Sequence, residues 1–129
     1  MASLLDGFTS FNFEEGVPYV SITKNGVTFN KAVVMKLNYP EYVVLLINTS
    51  KQQIAIKSCK KNDTNSVTFY KERESSKVLS VRWNGKDLLN TLQEMTGWNL
   101  DKEAYRSNGI LLKEEGAILF DLAKATLLK

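Results

Sequence analysis

The dipeptide Asn25-Gly26, set between two short β-prone runs, constrains this chain more than any other feature. Residues 19–24 alternate β-branched with polar side chains, and Asn-Gly best tolerates the positive φ angles of a tight hairpin-type turn, so a reversal is predicted there. Past residues 27–29 the pattern changes, because Asn30 is placed to cap a helix whose apolar Val33, Val34 and Leu37 fall at helical spacing. That helix is predicted to be short. Asn38 and Pro40 close it, since proline donates no backbone hydrogen bond and turns Tyr39 away from helical angles. Residues 42–47 form a continuous apolar run, which predicts a strand buried on both faces. Asn48, Thr49, Ser50 and Lys51 are turn formers, and residues 52–57 alternate with Ile54 and Ile56 on one face, which completes a hairpin.

The order of glycine turn, short strand, short helix stopped before a proline, apolar strand and Ile-Ala-Ile-Lys strand resembles the transition-state-regulator (AbrB/MraZ) family of swapped-hairpin barrels. The resemblance covers residues 26–59 and rests on Gly26, on Phe29 and Lys31, on Leu37, on the run 42–47 and on Ile54-Ala55-Ile56-Lys57. It implies a barrel-like fold and a DNA-facing surface near the first turn and helix, where this chain carries Lys24, Lys31 and Lys36. The family usually opens its helix with an Ile-Pro step followed by arginines, whereas this helix opens Phe29-Asn30-Lys31-Ala32.

The second half echoes the first. Ser80-Val81-x-x-Asn84-Gly85 matches Ser21-Ile22-x-x-Asn25-Gly26 at an offset of 59 positions. Asp87 is then expected to cap a longer amphipathic helix carrying Leu88, Leu89, Leu92 and Met95, ended by Gly97. Strands over 105–112 and 117–122 follow, joined by a turn at Glu115-Gly116. Between the halves, residues 60–66 contain no apolar side chain and mark an exposed linker. Short strands are expected at 67–70 and 78–83, with a charged turn over 71–77. Two readings stay open: an internal duplication, with pseudo-repeats 19–59 and 78–122, or turn chemistry common to many chains. Duplication would let one chain hold the pseudo-twofold that single-repeat relatives reach as dimers, so both a monomer and a homodimer are compatible with the sequence. The expected fold is α+β, one domain over 1–129, with mainly antiparallel strands in a twisted sheet or small barrel and two short helices.

Composition narrows the chemistry. The chain has 129 residues, 43% of them hydrophobic, enough for a real core. It has one cysteine, Cys59, and no histidine, which excludes an intramolecular disulfide and a Cys/His zinc site and removes the commonest general base near neutral pH. No phosphate loop, EF-hand spacing or nucleophile elbow is present, so no cofactor or metal is expected and an enzyme is disfavoured. No apolar run reaches the roughly 20 residues needed to span a bilayer, and the N-terminus lacks a basic start, so a soluble cytoplasmic protein is expected. Phe8, Phe11 and Phe13 alternate with polar residues, which predicts an anchored N-terminal arm.

The net charge of +3 is segregated: residues 20–86 carry 12 Lys or Arg against 4 Asp or Glu, between acidic ends. Such a basic middle attracts duplex DNA or another polyanion if the fold gathers it on one face. The candidate contacts are Lys24, Lys31 and Lys36 around the first turn and helix, Lys57, Lys60 and Lys61 at a strand end, and Arg82 and Lys86 beside Trp83. A solvated surface is the plain alternative for each lysine, and a core lid is the plain alternative for Trp83. Cys59, followed by two lysines, is weighed as an activated thiolate and as an incidental thiol. The sequence thus points to a non-enzymatic, nucleic-acid-associated regulator. The alternative is a protein-interaction module, an accessory protein of a bacterial or mobile-element system with no DNA binding.

Overall fold

The computed structural model describes residues 4–9, 16–71 and 79–128. Strand β1 (Tyr19–Thr23) reverses at Asn25-Gly26 into β2 (Gly26–Phe29), as expected. Gly26 has φ +144, and a Cβ there would lie 2.6 Å from the Trp83 carbonyl, so the position excludes a side chain on two counts. Asn30 caps α1 (Lys31–Lys36): its Oδ1 accepts from Val33 N at 3.3 Å and from Tyr19 N at 2.9 Å, while Nδ2 donates to Val17 O. One side chain therefore starts the helix and fixes the start of β1. The helix ends in two left-handed residues, Asn38 (φ 63) and Tyr39 (φ 55), before Pro40.

The chain continues through β3 (Tyr42–Asn48), β4 (Gln53–Cys59), the two-residue β5 (Val67–Thr68) and β6 (Val81–Trp83) into α2 (Lys86–Thr96). Here the expected turn and cap are both corrected. Gly85 has φ −64 and is itself the N-cap of α2, its carbonyl accepting from Leu89 N, and Asp87 lies inside the first turn. Two residues after Trp83 the chain enters α2 instead of reversing into a paired strand. Gly97, at φ 79, ends the helix as expected. Strands β7 (Ala104–Leu112), β8 (Ala117–Asp121) and β9 (Thr126–Leu128) complete the fold, with single 3-10 turns at Lys113–Glu115 and Leu122–Lys124.

All pairings are antiparallel and run in the order β5-β3-β4-β8-β7-β1-β2-β6, with β9 beside β7. The result is a curled half-barrel sheet with two short helices, of the α+β class. Its two ends approach each other, since Trp83 Nε1 on β6 donates to the Thr68 carbonyl on β5 at 3.3 Å. Inside the curl, Val33, Val34 and Leu37 from α1 and Leu89 and Leu92 from α2 join the inward residues of the strands in one apolar cluster. Phe29 lies at its centre, with the rings of Phe69, Trp83 and Phe120 within 5.9 Å of it or of each other.

The order strand, helix, hairpin occurs twice, as β2-α1-β3-β4 and as β6-α2-β7-β8, and β2 pairs with β6 while β4 pairs with β8. Both hairpin loops, 49–52 and 113–116, end in a left-handed residue, Gln52 (φ 54) and Gly116 (φ 63).

Residues 42–47 depart from expectation. Val43 is buried, but Leu46, which points outward, is 47% exposed, so β3 has a wet face. Ile47, on the inner side, is 39% exposed, where among the described residues β5 pairs only with Tyr42 and Val43 and leaves the far end of β3 without a flank. Of the phenylalanines in the N-terminal arm only Phe8 is described, and it is 75% exposed. Phe11, Phe13, Glu14-Glu15 and the charged stretch 72–77 lie outside the described residues.

Candidate interaction face

Strand alternation decides which side chains of β3, β4, β8 and β7 face the core and which face out. In register, Leu45, Ile56, Ile118 and Leu111 form one inward row, and Ile47, Ile54, Phe120 and Gly109 form the next. Gly109 is needed there because a Cβ would stand 2.5 Å from Ile118 Cγ2 and 2.8 Å from Phe120 Cε1. The outward rows are Leu46, Ala55, Leu119 and Ile110, then Val44, Lys57, Ala117 and Leu112. Ile110 is 60% exposed, while Ala55 and Ala117 are small and covered by their neighbours. An apolar band thus crosses four adjacent strands on the outside. It is bordered on one side by Asn48, Gln53 and Asp121 and interrupted on the other by Lys57.

Beside the band, where β8 gives way to β9 along β7, a cleft of about 520 Å³ is lined by Gln53, Arg106, Asn108, Asp121, Lys124 and Thr126 among others. Ser107 Oγ donates to the Asp121 carbonyl at 3.0 Å and holds this junction together. Arg106 lies 4.0 Å above the Tyr19 ring, a cation–π contact that fixes the guanidinium at the surface. It belongs to a polar outward row, Arg82, Thr28, Ser21, Arg106 and Thr126, across β6, β2, β1, β7 and β9. Arg82 Nε donates to Thr28 Oγ1 within that row.

The fold separates most of the cations that the sequence singles out. Lys24 and Lys86 converge on one cleft, shared with Asp101. Lys31 and Lys36 stand on α1, Lys57 on the outer face of β4, and Lys60 and Lys61 in the loop after it. Arg82 also faces out, but β8, β7, β1 and β2 stand between it and Lys57. The 60–66 loop is ordered by Asp63 Oδ2, which accepts from Lys60 N, and by Ser66 Oγ, which donates to Lys61 O. Trp83 packs edge-on against Phe29 and Phe69, so it is a core lid. Burial, and then the Asp63 carboxylate, push the Cys59 thiol pKa up, which argues against an activated thiolate. Tyr105 is also raised, by burial and by its bond to Glu103, and its ring stacks on Trp98 at 4.0 Å. Among the described residues no group of three His, Cys, Asp or Glu side chains is placed to hold a metal. No helix among them is long and apolar enough to cross a membrane.

The outward residues Leu46, Leu119, Ile110 and Leu112, and the polar Arg106, were not among the sequence candidates. A signal for the band was present, because an apolar run that does not alternate has two apolar faces, and each face needs cover. Comparison with protein-family models, with curated proteins and with solved structures found no match, so the assignment to this face rests on its own geometry.

Proposed function

We propose that the chain is a non-catalytic interaction module whose working surface is the outer face of β3, β4, β8 and β7. The observation that carries this reading is the outward apolar row Leu46, Ala55, Leu119 and Ile110, continuous across four paired strands and exposed at its two ends, Leu46 and Ile110. Contiguous exposed apolar surface of this kind marks association sites, because covering it removes apolar area from water at about 25 cal/mol per Å². Sedimentation of labelled protein in an extract of its own cells tests the reading. Wild type should run as a complex and the Ile110→Lys variant should not; identical monomer rates for both would overturn it.

A second reading, a nucleic-acid-associated regulator, is favoured by the row Arg82, Thr28, Ser21, Arg106 and Thr126, which offers two guanidiniums and three hydroxyls on one surface. Such groups contact phosphates without reading sequence. Duplex binding that weakens steeply with salt, with a slope reduced by about two in an Arg82→Ala, Arg106→Ala variant, would support it. No binding at low salt would remove it.

The two strand-helix-hairpin units also support an internal duplication, in a register that sets Thr28 against Arg82 and Gln52 against Gly116. Related chains that keep both loop lengths equal would support this register. Relatives with unrelated loops would oppose it.

A further inference from the structure

Resting on the interaction-module reading, we propose that the cleft where β7, β8 and β9 meet captures the C-terminal carboxylate of an extended partner polypeptide. The strand register sets out the chemistry of the cleft in three steps along β7. At the first, Arg106 stands opposite Thr126 of β9. At the second, Asn108 and Asp121 line the cleft together with Gln53, which pairs with Asp121 across β4 and β8. At the third, Ile110 stands opposite Leu119. Alternate residues of a strand lie roughly 7 Å apart, so cation, amides and apolar side chains follow one another over roughly 14 Å. An extended peptide covers that span in about four residues. Its carboxylate then meets Arg106, its last peptide groups meet the Asn108 and Gln53 amides, and an apolar side chain near the fourth residue from its end rests on Ile110 and Leu119.

The charged groups of the cleft are held from behind and keep their capacity for a ligand. Arg106 Cζ lies 4.0 Å from the centre of the Tyr19 ring, which fixes the guanidinium without using an acceptor. Its planar fork of N–H donors matches the two oxygens of a carboxylate. Lys124, on the 3-10 turn between β8 and β9, adds a second cation to the lining. Asp121 Oδ1 accepts from Ala123 N at 3.1 Å, which leaves Oδ2 to accept a peptide N–H. Two cations against one carboxylate give the cleft a positive balance that suits a monoanion, whereas a phosphate dianion would meet Asp121 as a like charge. The placement at Arg106 also suits a chain end. β7 begins at Ala104, two residues past Arg106, so the supporting strand stops close to where the carboxylate sits.

Binding of the purified full chain to two pools of labelled seven-residue peptides tests this, each pool degenerate except for leucine as the fourth residue from the end. One pool ends in a free carboxylate and the other in an amide. The free-acid pool is expected to bind at least about tenfold more tightly. Arg106→Gln should abolish the difference between the pools while the far-ultraviolet circular dichroism stays the same, and Lys124→Gln should weaken the free-acid pool alone. Serine in place of the fixed leucine should weaken both pools. Equal binding of the two pools, or no binding of either at about 1 mM, overturns the proposal. If 4-methylpentanoate displaces the free-acid pool as well as unlabelled peptide does, the cleft belongs to a small organic acid and the peptide assignment is overturned. If the peptides fail while Ile110→Lys still loses its complex in extract, the module reading stands without this site; if that complex is also insensitive, both fall.

Discussion

Both faces of β3, β4, β8 and β7 carry a continuous apolar row, yet the rows have opposite fates. Ile54 and Ile56 on β4 and Ile118 and Phe120 on β8 point inward and are at most 1% exposed, whereas Leu46 on β3 and Ile110 on β7 point outward and are about half open to water. Helices α1 and α2, β1 and β2 all pack into the core on the inner face, and none of these elements covers the outer face. Hydrophobicity therefore states that a face needs cover. What supplies the cover is a matter of topology.

The largest effect expected from this contrast is at Phe120, where truncation to alanine opens a cavity beside Phe29 and above Gly109. Phe120→Ala should cost about 3–5 kcal/mol in urea unfolding. A loss below about 1 kcal/mol would mean that the inner face collapses readily and that the contrast is shallow. Leu45→Asp, which turns a carboxylate toward Ile56 and the core rim, should cost roughly 3 kcal/mol and yield little soluble protein. Gly26→Val is expected next, at about 2 kcal/mol, because the β-branched side chain is strained at φ +144 and meets the Trp83 carbonyl. Gly85→Ser, at the other Asn-Gly step, should be neutral or raise stability by a few tenths of a kcal/mol, since serine caps helices slightly better than glycine. Equal losses at both glycines would show that the two turns are alike after all.

Those two glycines also mark how far local sequence reaches. Asn25-Gly26, the Asn30 cap and the Pro40 stop were legible because each acts within four or five residues of itself. Asn84-Gly85 has the same letters and a different role, because there the chain runs straight into α2, with Gly85 as its N-cap and Leu89 and Leu92 drawn into the core. The wet face of β3 was hidden for a similar reason, since its exposure follows from which side of the sheet the helices pack against and not from the run itself. Of the outer surface, Lys57 and Arg82 were named from sequence. Arg106 was not, because its neighbours Ser21 and Thr126 come from opposite ends of the chain.

Asn30→Ala tests a point where local and distant structure meet. The residue caps α1 and also holds Tyr19 N and Val17 O, so the loss should be about 1–2 kcal/mol, at the upper end for a cap. A loss of only a few tenths would reduce Asn30 to a helix cap whose backbone partners are satisfied by water.

A small effect is expected one position from one of the largest. Leu46→Asp sits beside Leu45 in sequence but points outward, next to Ala55, where the carboxylate stays hydrated. Measured at low protein concentration, so that association adds nothing, its unfolding free energy should fall by no more than about 0.5 kcal/mol, the usual range for a surface change. Part of even that loss would come from the poor strand propensity of aspartate. A large loss at low concentration would mean that the outer face is already covered within one chain, and the contrast between the two faces would fail at its most exposed point.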